Sequence, residues 1–248
     1  MENKKQNGIF HNIVTVVFLL LFQQFASTAG RFVANKFTYN KIDEYGLFAW
    51  VSVHHIVQML LAIVLIVIIA EVLKLDFGFT FGDRKAGMEH VANITVVAII
   101  FALCWHLGTQ FFGSVSASYP LNFTNIAGQF GFQLLLSGSS EEILFRALPM
   151  TLLIYSFRES KIIRIKGLDI SLENIIAALF FTFAHVSWSL NPFSVSASWV
   201  QLTLSMALGL WYGIAYQQSK SIMYPIAMHS IWNIIMVGAR YIHLALLL

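Results

Sequence analysis

Six residues stand out against an apolar background: Glu141, Glu142 and Arg146 in SGSSEEILFRALP, His185 in FFTFAH, and His229 with Asn233 in HSIWN. An ionisable side chain deep in a membrane helix costs at least about 2.5–3.5 kcal/mol, so each is a functional candidate by default. Glu142 and Arg146 lie four residues apart on one helix face and can pair, which offsets part of the burial cost and keeps Glu142 ionised. Glu141 points about 100° away and has no partner on its own helix. A carboxyl buried in that way suits general-base work near neutral pH. His229 and Asn233 are also four apart, and two adjacent N–H donors make a candidate oxyanion site.

The elements that must carry these residues follow from composition. The chain has 248 residues, 58% of them hydrophobic and 11% charged. A soluble domain carries roughly 25% charged residues, so a water-exposed surface, intrinsic disorder and a fibrous repeat are all excluded. What remains is an all-α polytopic membrane bundle. Seven hydrophobic segments are legible, at about 10–29, 46–73, 91–112, 126–155, 173–187, 199–218 and 222–244. They form one integral membrane domain over 1–248, with the catalytic residues in 126–244. The short segment 173–187 is expected to continue through Trp188. Ser137-Gly138-Ser139-Ser140 and Pro149 predict a kink that opens the fourth segment beside the glutamates. Ser205, Gly209 and Gly213 form a small-residue ladder that permits close helix approach.

Depth agrees with a shared site. At 1.5 Å per residue, His229 lies about 10 Å from its helix end, Asn233 and His185 about 17–18 Å, and Glu141 about 20 Å. His54, His55 and His106 read as interhelical hydrogen-bonding residues. His11, His90 and His243 fall at segment ends or in loops. Residues 1–125 supply compatible helices and no recognised catalytic group. The single cysteine, Cys104, allows no intramolecular disulfide and reads as a small packing residue.

Charge in the loops predicts orientation. Ten basic residues (Lys4, Lys5, Lys74, Arg84, Lys85, Arg158, Lys161, Arg164, Lys166, Lys220) fall on the side of the N-terminus and the second, fourth and sixth loops. Three (Arg31, Lys36, Lys41) fall on the other, which predicts N-in, C-out and a site opening to the cytoplasm. Lys4, Lys5, the run 13–22 and Ser27-Thr28-Ala29 also resemble a cleavable signal peptide, whose removal would leave six spans. Gln23 and Gln24 interrupt that pattern and favour retention. A net charge of +3 is too small for a nucleic-acid partner.

Glu141-Glu142-xxx-Arg146, Phe181-xxx-His185 and His229-xxx-Asn233 together resemble the three ordered motifs of the CPBP intramembrane protease family, which includes the Rce1-like CAAX prenyl proteases and bacteriocin-processing, Abi-type proteins. The resemblance implies that Glu141 with His185 activates a water and that His229 and Asn233 stabilise the oxyanion. It implies that Glu142 and Arg146 hold the first motif in shape, with an assisting role in catalysis open to Glu142, and that Phe181 packs beside His185. It further implies a hydrophobic or lipidated peptide substrate in a bacterial cell membrane, processed in pheromone or bacteriocin maturation or in self-immunity. Membrane lipids are the other partners, and the oligomeric state is open.

A Glu with two His could bind Zn²⁺ through Glu141, His185 and His229. No helix carries the HExxH spacing that sets two imidazoles on one face, so no cofactor is assigned and the metal question stays open. The alternative is a non-enzymatic membrane regulator or immunity protein that binds a partner membrane protein.

Overall fold

A backbone in lipid must satisfy its own N–H and C=O groups, which an α-helix does within one segment. The computed structural model describes residues 2–112, 119–158, 162–165, 168–190 and 192–246. The chain opens with α1 (Glu2–Ala34), α2 (Ala49–Leu73) and α3 (Arg84–Phe112). Within them Gly8–Ala34, Ala49–Leu73 and Arg84–His106 are long and apolar enough to cross a membrane. The fourth stretch runs through α4 (Phe123–Phe132), a π-helical turn at Gln133–Ser137, α5 (Gly138–Glu142), a second π turn at Ile143–Ala147, and α6 (Leu148–Phe157). The last three helices are α7 (Leu172–Ala184), α8 (Trp199–Ser219) and α9 (Met223–Leu246). The fold is an all-α membrane bundle whose helical stretches follow the seven apolar segments.

Where the sequence predicts a kink, the structure has two π turns. Pro149 lacks an N–H, and its ring crowds the carbonyl four residues before it; the wider turn just ahead relaxes that conflict. On the other side of α5, Gly138 lets the helix close on α9: a Cβ there would stand 2.6 Å from Ser230 Oγ and 2.8 Å from the Ile226 carbonyl. Helix starts are capped by side chains. Asp43 accepts from the N–H groups of Leu47, Phe48 and Ala49 at 2.6–2.7 Å, while Ser171 and Ser198 cap α7 and α8.

The fifth segment departs from expectation. Its helix ends at Ala184 and does not run on through Trp188. The chain turns at His185 and enters β3 (Ser187–Leu190), which pairs antiparallel with β4 (Phe193–Ser196), Trp188 opposite Val195. A second hairpin, β1 (Ile162–Ile165) with β2 (Leu168–Ser171), connects α6 to α7. Across it, Arg164 binds Asp169 through two hydrogen bonds of 2.6 and 2.9 Å, which hold the Asp169 carboxyl below its usual range.

The small-residue ladder brings α7 against α8. A Cβ on Gly209 would stand 2.8 Å from Arg146 Nη2 and 3.3 Å from Ala178 Cβ, and one on Gly213 would overlap the Asn174 amide. Leu19, Ala62, Ile66, Leu144, Leu148 and Leu153 form part of a buried apolar core shared by α1, α2, α6 and the second π turn.

Candidate active site

The two glutamates on α5 have separate surroundings because adjacent helical residues point in different directions. Glu142 is fully buried. Its Oε2 lies 3.4 Å from Arg146 Nε, and its Oε1 lies 2.8 Å from His229 Nδ1 on α9. Arg146, also fully buried, sets its guanidinium 4.3 Å from the Phe181 ring centroid. The expected pair within one helix is present, and it reaches across to hold an imidazole on another.

Glu141 keeps 19% of its side chain exposed, where Glu142 has none. Its Oε2 lies 3.7 Å from His229 Nε2, and its Oε1 lies 3.8 Å from His55 Nε2 on α2. The His229 ring is thus held at one nitrogen by Glu142 and turns the other toward Glu141. Tyr212 of α8 stacks on its face, with centroids 5.4 Å apart and planes 25° apart. With Glu142 ionised beside Arg146, the Nδ1–H of His229 donates to it. A second hydrogen on Nε2 then makes the ring an imidazolium, the form that can donate to an oxyanion.

His185 sits where α7 ends. Its Nδ1–H donates to the Phe181 carbonyl at 2.8 Å, an acceptor-only partner, so in the neutral ring Nε2 carries the lone pair. Phe181 packs edge-on to His185, centroids 4.8 Å apart. Asn233 donates one amide hydrogen to Ser137 Oγ at 3.0 Å and retains a second.

Two cavities flank this group and share Phe181 and His185 in their walls. One, of about 240 Å³, is lined by α1, α2, α5 and α7 and includes His55, Glu141, Phe181 and His185. The other, of about 470 Å³, is lined by α3, α7, α8 and α9 and includes Phe181, His185, His229 and Asn233. The first extends to Arg31 and Trp188, and the second to Ser198 and Trp105. These residues belong to the ends that carry the first, third and fifth loops; a third cavity, of about 700 Å³, lies at the other end among Asp76, Tyr155, Asp169 and Lys220. The sequence had placed the opening on the side of the second, fourth and sixth loops. Helix length measures distance from an end and does not say toward which end a site opens.

His55 was read as an interhelical hydrogen-bonding residue, and it is one, with Nδ1 2.5 Å from Ser140 Oγ. It also faces Glu141, so α2 supplies more than a compatible helix. Ser137 and Ser140, read as kink residues, are the partners of Asn233 and His55. Tyr212 gave no signal beyond its place between Gly209 and Gly213. Among the described residues no three His, Cys, Asp or Glu side chains are grouped to hold a metal ion. In the candidate set Glu141, His185 and His229, Glu141 Oε2 stands 3.7 Å from His229 Nε2, and Nδ1 of the two imidazoles is bonded to Glu142 and to the Phe181 carbonyl.

The two carboxylates and the imidazoles of His55, His185 and His229 thus form one polar cluster inside an apolar bundle. Residues 122–235 match the family described as type II CAAX prenyl endopeptidase Rce1-like, and this part of the chain is a domain of that family. Neither the curated proteins nor the solved structures offered a match. The family is one of CAAX-type membrane proteases, and all six polar residues singled out in the sequence lie inside the matched region.

Proposed function

We propose that the protein is an intramembrane endopeptidase that hydrolyses a peptide bond of a membrane-associated or lipid-modified peptide, with water activated by Glu141. The observation that carries this reading is a half-sheltered carboxylate facing imidazoles from two other helices, in a group flanked by two cavities. Glu141, with the Nε2 lone pair of His185 in the same cavity, takes a proton from water as its oxygen bonds to the carbonyl carbon. His229 and Asn233 donate to the carbonyl oxygen as it becomes an oxyanion. Glu141 then returns the proton to the nitrogen as the C–N bond breaks. Glu142 and Arg146 position His229, and Phe181 positions His185. A small hydrophobic peptide of a bacterial cell membrane, processed in pheromone or bacteriocin maturation or in self-immunity, is the substrate that this reading favours.

The test uses purified, detergent-solubilised protein and a fluorogenic S-farnesyl peptide. Glu141→Ala is expected to lower kcat/KM by roughly 10²–10⁴-fold, the usual contribution of a general base. Cleavage at an undiminished rate would overturn the mechanism.

A further inference from the structure

The cavity between α1 and α2 contains polar chemistry that the hydrolytic steps do not use. Gln23, Gln24, Ser27 and Arg31 line it from α1, and His54, His55 and Gln58 from α2. Gln23 and Gln58 are only 5% and 6% exposed. Gln23 Nε2 is buried with no hydrogen-bond partner among the described residues, an expensive arrangement unless something polar enters the cavity. At the cavity's outer end, Arg31 makes one long hydrogen bond, 3.5 Å to Thr28 Oγ1, and no described carboxylate lies within 4 Å of its guanidinium. The second cavity is different in kind, walled by Phe101, Trp105, Leu204, Leu208, Trp232 and Met236.

The direction of proton flow assigns the two spaces. Water's proton passes to Glu141 and from there to the departing nitrogen, so the amine-side fragment leaves across the Glu141 face, into the polar cavity. The carbonyl oxygen sits against His229 and Asn233, so the acyl-side fragment occupies the aromatic one. We propose that the α1–α2 cavity binds the polar, C-terminal fragment of the substrate, with its free carboxylate paired to Arg31 and its backbone held by Gln23 and Gln58. A glutamine amide offers a donor and an acceptor together, which matches a peptide group in either orientation, and a guanidinium pairs with a carboxylate through two parallel hydrogen bonds. This assignment rests on the hydrolytic reading of the site.

The test compares a fluorogenic S-farnesyl peptide ending in a free carboxylate with the same peptide as its C-terminal amide. Cleavage is measured on the unaltered protein, and equilibrium binding on Glu141→Ala protein, which holds peptide without turning it over. The free acid is expected to be favoured about tenfold in both measurements. Arg31→Ala should lower the acid to the level of the amide, Arg31→Lys should restore part of the preference, and Lys36→Ala, on the adjoining loop, should leave it intact. Equal binding of acid and amide, no binding of either, or equal weakening of both by Arg31→Ala overturns the proposal. An acid preference in binding without cleavage of either peptide keeps the subsite and removes the hydrolytic reading.

Discussion

Glu141 and Glu142 are adjacent and chemically identical, and their surroundings separate them. One is enclosed between a guanidinium and an imidazole, and the other meets two imidazoles at the edge of a cavity. In the proposed mechanism the enclosed carboxylate positions and the accessible one reacts. His55 belongs to the second environment without belonging to any motif. His55→Ala should lower kcat by up to about 10²-fold with KM within twofold, because a small misplacement of a catalytic base is amplified in rate. His55→Gln, which can still bond Ser140, should recover part of that loss. An unaltered kcat in both variants would leave His55 as an interhelical hydrogen-bonding residue alone.

At the scale of elements, the site depends on helices that approach more closely than ordinary side chains allow. α7 carries Phe181 and His185, and it reaches Arg146 and His229 only because α8 presents glycines to it. Gly213→Ala should destabilise the protein by about 1–3 kcal/mol, the usual effect of overpacking, since the Asn174 amide it would meet is held by the Leu210 carbonyl at 2.9 Å. Gly108→Ala, at a position with open space, should leave stability unchanged or slightly raised. Denaturation in detergent followed by far-UV circular dichroism distinguishes the two. Equal stability of both variants would show that the ladder is not the constraint. The ladder was legible in the sequence as spacing; its partner was not, since small-residue spacing says that something comes close without saying what.

For the whole molecule, the two cavities that line the candidate site extend toward the ends that carry Arg31, Trp105 and Trp188, away from the more basic second, fourth and sixth loops. The loop bias predicts that the end bearing Arg31 and Trp188 lies outside the cell. A cytoplasmic opening requires the reversed orientation, and the two expectations exclude each other. With Cys104 replaced by Ser, Trp188→Cys should react with a membrane-impermeant maleimide in intact cells, and Arg164→Cys only after lysis. The opposite pattern would show that the loop charges do not set the orientation and that the site faces the cytoplasm.

The chain alone determined the bundle, its seven apolar segments and the six polar residues of the motif region. Burial of charge in lipid is costly enough that scarcity itself marks the position, and helical spacing relates residues within one segment. Only the tertiary structure decided that Glu142 bridges Arg146 to His229, that α2 sets His55 beside Glu141, and that the fourth stretch loosens into π turns. Those outcomes depend on how separate helices rotate and pack against one another. A one-dimensional period fixes the face of each helix but not the neighbour that the face will meet.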